Sequence, residues 1–104
     1  MSQKMSDFFR EIWDEREDEE GYVRCFETGV EMHGSKYRSL TTCYHHVLEQ
    51  GNTKFPQYAF LKKNIVILHP DVHVRYHNNP DRCPKVKALR EKLLSLHYEN
   101  KLED

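Results

Sequence analysis

Seven histidines fall in this 104-residue chain, and two of their spacings can do chemistry. His73 and His77 are four residues apart. On a helix that spacing stacks two imidazoles on one face, where both can reach a single cation at about 2.0–2.1 Å. His45 and His46 are adjacent. Neighbours on a strand point to opposite faces, so one can bind a metal while the other meets a substrate from a different direction. An imidazole, with an ordinary pKa of about 6.5, can take a proton from water at neutral pH. Asn64 heads an apolar run, and its amide can tie down a neighbouring loop. His33 and His97 have no partner at ligand spacing and read as surface or satisfied core residues.

These side chains need elements to hold them. Ser6 can cap a first helix, with Asp7 in its first turn and Phe8, Phe9, Ile12 and Trp13 on one apolar face. That helix should stop near Glu20 and Gly21, and the acidic run over residues 14–20 reads as its solvated end. Residues 22–34, punctuated by Gly29 and Gly34, suggest a short hairpin or knuckle. Residues 40–48 are rich in β-formers and read as a strand carrying His45 and His46. A turn over residues 50–53 and an aromatic-bearing loop over 55–63 follow, with Tyr58 and Phe60 as loop or core anchors. Residues 64–68 are the strongest strand in the chain. Pro70 suits the first turn of a helix reaching about His77, and Asn78, Asn79 and Pro80 break it. Pro84 can open a last helix with Val86, Leu89, Leu93 and Leu96 on one face, before a frayed tail over 99–104. The expected class is α+β in one domain. It comprises an acidic N-terminal helix (1–21), a strand–loop–strand–helix core (22–78) and a C-terminal helix with its tail (79–104).

Composition bounds the rest. Charged residues make up 32% of the chain, yet five Phe, six Tyr and one Trp argue for a packed core and against disorder. No run approaches the roughly 20 apolar residues of a membrane helix, and the N-terminus has no secretory apolar stretch, so the expected location is cytoplasmic and no membrane partner is expected. Three widely spaced cysteines do not suggest a disulfide framework. The net charge of −1 hides an asymmetry: residues 1–34 hold four Lys/Arg against ten Asp/Glu, and the remainder holds twelve against seven, with six of the seven histidines. A polyanion would favour that second part.

Taken in order, Cys43-Tyr44-His45-His46-Val47-Leu48, then Asn64-Ile65-Val66-Ile67-Leu68, then His73 and His77, resemble the His-Asn-His signature of HNH (ββα-metal) nucleases. The interval of nine residues from Asn64 to His73 matches the common family spacing, and His77 four further on is similar to colicin-type nuclease domains. The resemblance covers roughly residues 25–77. It implies a treble-clef-like ββα-metal core and one divalent ion (Zn²⁺, Ni²⁺, Mg²⁺ or Mn²⁺) held by His45, His73 and His77. It implies His46 as general base and Asn64 as either a metal ligand or a brace for the base loop, depending on the branch, with three histidine ligands at hand favouring the brace. It implies hydrolysis of DNA phosphodiesters with little sequence preference, leaving 5′-phosphate and 3′-hydroxyl ends. Small relatives occur in phage genomes, which would put the chain in a host cytoplasm. Arg75, Lys54, Lys62 and Lys63 flank the motif as candidate phosphate contacts. The chain departs from the family where many members hold a structural zinc: Cys25 and His69 stand at two of its four positions, while Thr28 and Val72 take the others. The expectation is a kept knuckle and a lost zinc. Cys43 and Tyr44 replace an acidic residue, so support for the helix histidines must come from elsewhere. The competing expectation is a non-catalytic module of the same fold that binds nucleic acid or a protein, with the acidic first helix as the contact surface.

Overall fold

The computed structural model describes residues 4–49 and 54–103. The expected turn over 50–53 lies outside the described residues, as does Asp104. The described residues form an α+β domain of four helices and two small antiparallel sheets. Helix α1 spans Met5–Arg16 and buries Phe8, Phe9, Ile12 and Trp13, the face that their spacing requires. It starts one residue before Ser6, with Lys4 at the N-cap and no side-chain cap, so Ser6 does not cap it. It also ends before the acidic run does. The Arg16 guanidinium turns inward to donate to the carbonyls of Ile65 (2.8 Å) and Lys62 (3.0 Å), which fixes the helix end by tertiary contact. Residues 17–21 then form a turn in which the Asp18 carboxylate accepts from the Glu20 and Tyr22 amides, both at 2.9 Å.

Strands β1 (Tyr22–Arg24) and β2 (Glu31–His33) pair antiparallel as the expected hairpin, with Gly29 at a positive φ of 75° in its turn. Short helix α2, Gly34–Tyr37, is capped by His33, whose Nδ1 accepts from the Ser35 amide. The expected strand over 40–48 is shorter than its β-forming composition suggests: Thr41–Cys43 is a 3₁₀ turn, and β3 is Tyr44–His46 only. Strand β4 is Ile65–Ile67, and Asn64 closes the 3₁₀ turn Lys62–Asn64 just before it. β3 and β4 pair antiparallel, with Tyr44 opposite Ile67, His45 opposite Val66 and His46 opposite Ile65. Helix α3, Pro70–Asn78, follows directly, with Pro70 in its first turn and His69 as N-cap. Helix α4, Pro84–Tyr98, buries Val86 and Leu93, with Leu89 and Leu96 half-buried beside them.

One core joins these pieces. Phe9 of α1 stacks on Tyr44 of β3 with ring centroids 4.5 Å apart and planes 5° apart. The Phe26 amide donates to the Ile67 carbonyl at 2.9 Å and links the β1–β2 knuckle to β4. The acidic flank of α1 pairs internally, Asp14 with Arg38 and both Glu11 and Glu15 with Lys62. The tail is not frayed over 99–103. The Lys101 amide donates to the Leu96 carbonyl, Leu102 packs on the core, and Lys63 Nζ donates to the Glu103 carbonyl. No helix among the described residues is long and apolar enough to cross a membrane.

Candidate metal centre

His45, His73 and His77 meet. One ring nitrogen from each lies within 4.8 Å of the others, the one metal-capable group of three found among the described residues. Sequence spacing accounts for half of this, because α3 carries His73 and His77 one turn apart with ring centroids at 4.7 Å. The β3–β4 pairing and the packing of α3 supply the rest. His45 points from β3 toward α3, its ring 4.9 Å from both His73 and Tyr76 and 5.7 Å from His77.

Tautomers and charge states follow from the surroundings. His73 Nδ1 lies 2.6 Å from the Thr42 carbonyl, which can only accept, so that nitrogen carries the proton and Nε2 keeps its lone pair. That lone pair stands 3.2 Å from His45 Nδ1. Two nitrogens bound at tetrahedral angles to one ion, each at about 2.0–2.1 Å, sit roughly 3.3 Å apart, so this separation fits two donors sharing a cation. His45 Nε2 is buried and has no hydrogen-bond partner. Burial pushes the His45 pKa down to about 3, helped by the neighbouring charges of His73, His77 and His46. Burial also lowers His73, with the Thr42 carbonyl opposing it and His77 adding to it. Neutral imidazoles are the state a metal requires. The donor set is nitrogen alone, which suits Zn²⁺ or Ni²⁺ better than Mg²⁺, a cation that prefers oxygen.

His46 is not in this group. Adjacent residues of β3 diverge, and His46 faces Phe9 of α1, with ring centroids 5.8 Å apart. Its Nε2 donates to the Ala59 carbonyl at 3.0 Å, leaving Nδ1 as the acceptor nitrogen, and burial lowers its pKa against the raising effect of that bond. Asn64 has the bracing position expected of it. It is fully buried, accepts from the Leu48 amide at 2.6 Å, and donates to the carbonyls of Leu48 (3.0 Å) and Tyr58 (3.2 Å). It therefore ties the segment after His46 to the loop that supplies Ala59.

The other sequence candidates fare differently. Arg75 lies half-buried on α3 between His73 and His77, and Lys54 is exposed in the 54–61 loop. Lys62 and Lys63 are engaged elsewhere, with Glu11 and Glu15 of α1 and with the Glu103 carbonyl, so neither serves as a free phosphate contact as placed. Cys25 and His69 do touch, but through the His69 backbone amide donating to Cys25 Sγ at 3.4 Å. His69 Nδ1 caps α3, and its Nε2 lies 3.4 Å from the Tyr37 hydroxyl. Both His69 ring nitrogens therefore have hydrogen-bond partners. His97 has a partner that spacing did not reveal, the Tyr58 hydroxyl at 2.6 Å from its Nδ1. Two backbone carbonyls, Thr42 and Ala59, were missed altogether, and no side-chain pattern announces them. A cavity of about 380 Å³ also opens beside His45 and His77.

Comparison with protein families, with curated proteins and with solved structures gives no significant match for this chain.

Proposed function

We propose that this chain is a metal-dependent phosphodiesterase of the HNH type, acting on DNA. The observation that carries the reading is the approach of three imidazoles from two elements to within 4.8 Å; His46 follows His45 in β3 but faces the other way, with its tautomer set by the Ala59 carbonyl. The order of elements supports it: two antiparallel strands and then a helix bear the histidines, as a ββα-metal core requires.

In this reading His45, His73 and His77 hold the ion. The cation, when bound, neutralises charge developing on the phosphate and the departing sugar oxygen. The protein supplies the proton chemistry. His46 Nε2 is held by the Ala59 carbonyl, so Nδ1 presents its lone pair to a water molecule and takes its proton. A lowered pKa keeps His46 unprotonated at neutral pH, the form a general base needs. Asn64 keeps the two segments around His46 in register. Thr42 holds His73 with its lone pair inward.

The test is nicking of supercoiled plasmid by the purified protein with Mg²⁺, Mn²⁺, Ni²⁺ or Zn²⁺. His46→Ala should abolish nicking while metal binding and folding persist, and His73→Ala should weaken metal binding as well. A wild type that binds DNA but nicks with none of these ions is a binding module and not a nuclease.

A further inference from the structure

The cavity beside the histidines is lined by the segment from β3, by α3, by Pro80 of the turn that follows it and by α4, where Glu91 adds a carboxylate to that of Glu49. Along the extended segment from β3, His45, Val47 and Glu49 alternate onto the same side. Tyr76 and His77 come from α3, and Lys87 and Arg90, one helical turn apart, come from α4. Its volume of about 380 Å³ lies in the range of small-molecule sites, roughly 300–1,000 Å³, and is far too small for a duplex. Two of the three metal-centre histidines form one end of it.

The chemistry changes along its length. Near the histidines the walls are Val47 and Tyr76, a largely apolar lining. At the far end the Arg90 guanidinium meets the Glu49 carboxylate at 3.2 and 3.3 Å. One Arg90 nitrogen makes both contacts, so the fork retains N–H donors beside a carboxylate acceptor. Lys87 is paired with Asp81. Both cations are thus matched by carboxylates. An apolar wall closed by a paired donor and acceptor is complementary to an uncharged nucleobase with its hydrogen-bonding edge, and poorly suited to a second phosphate.

We propose that this groove seats one unstacked nucleotide of the substrate, its base toward Arg90 and Glu49 and its phosphate at the histidines. The identity of the ligand rests on the phosphodiesterase reading above. A base inside a duplex cannot enter such a groove without leaving the stack. The substrate class is therefore single-stranded, frayed or mismatched DNA in preference to intact duplex.

Binding and cleavage test this separately. Deoxynucleoside 5′-monophosphates titrated into the Zn²⁺-loaded protein should shift the NMR signals of Val47, Tyr76 and His77 at millimolar concentrations. Arg90→Ala, a substitution at a partly exposed side chain, should weaken that binding about tenfold, the loss of one hydrogen bond to a charged group, with no change in melting temperature. An oligonucleotide should be cut faster as a single strand than in duplex with its complement. No shifts in the groove at millimolar nucleotide, or equal affinity in the Arg90 variant, overturns the groove even if plasmid nicking succeeds. Equal cleavage of single strand and duplex does the same. Groove binding without any nicking by the wild type keeps the nucleotide site and removes the nuclease.

Discussion

Replacing Asn64 by aspartate tests the brace with almost no change of shape. The Asn64 amide is fully buried and makes three bonds, one accepted from the Leu48 amide and two donated to the carbonyls of Leu48 and Tyr58. Aspartate keeps the acceptor but turns a second oxygen toward two carbonyl oxygens. Ionised, it is a buried charge facing like partial charges. Protonated, it can donate to one carbonyl and leaves the other unmet. Holding a carboxyl of ordinary pKa 3.9 protonated at pH 7 costs about 4 kcal/mol, at roughly 1.4 kcal/mol per unit. One unmet carbonyl adds about 1 kcal/mol. The expected loss at pH 7 is therefore about 5 kcal/mol, against a total stability of roughly 5–15 kcal/mol for a domain of this size. The sign with pH is fixed by linkage. The folded variant holds a proton that the unfolded chain releases above its ordinary pKa, so lowering the pH favours folding of the variant relative to wild type. At pH 5 the penalty should fall to about 2.5 kcal/mol. Urea unfolding followed by Trp13 fluorescence, for both proteins at both pH values, measures it. Asn64→Ala should also destabilise, but with a penalty that does not change with pH. A penalty for Asn64→Asp below about 1 kcal/mol at pH 7, or one that does not shrink at pH 5, refutes the hydrogen-bond assignment.

Other consequences are more direct. Zn²⁺ or Ni²⁺ at about one hundred times its dissociation constant should stabilise the fold by roughly 2.7 kcal/mol and raise the melting temperature by several degrees, and His45→Phe should remove that shift; calorimetry with and without EDTA decides it. His45, His46 and His73 all have folded pKa values below their ordinary one. Their stability contribution is therefore complete above about pH 6.5 and is lost as the pH falls toward the folded values, at up to roughly 1.4 kcal/mol per pH unit per histidine; for the metal-free protein, a urea midpoint that does not fall between pH 7 and pH 5 contradicts their burial. Gly21 has a φ of 88°, and a Cβ there would lie 3.1 Å from His33 Nε2, so Gly21→Ala should cost about 1–2 kcal/mol, read from the shift in urea midpoint.

The parts of the site legible in the sequence are those with a local period. His73 and His77 share a face because four residues make about one helical turn, and His45 and His46 diverge because strands alternate. The convergence of His45 on the helix pair has no local signature. It depends on His45 standing opposite Val66 and on α3 following β4 directly, and in the sequence only the family resemblance implied it. Errors at element ends have the same origin. The acidic run read as helix to about residue 20, but the helix stops where Arg16 reaches carbonyls near residue 65, about fifty positions away. The tail read as frayed, but Asn100 adopts a left-handed φ of 58°, which turns the chain back so that the Lys101 amide meets the Leu96 carbonyl.

Backbone carbonyls explain the remaining gap. A histidine has two chemically distinct nitrogens, and which one carries the proton decides whether the ring is a ligand, a base or neither. For His73 the Thr42 carbonyl decides, and for His46 the Ala59 carbonyl does. Every residue has such a carbonyl, so nothing in the identity of residue 42 or 59 marks it as an orienting group. A substitution at Thr42 or Ala59 that preserves the backbone should therefore leave the histidine tautomers intact. A change in the loop path, such as removal of the Asn64 bond to the Tyr58 carbonyl, acts on His46 without touching it. The histidines, visible in the sequence, supply the rings, while the loop conformation, which is not, selects the nitrogen that can act.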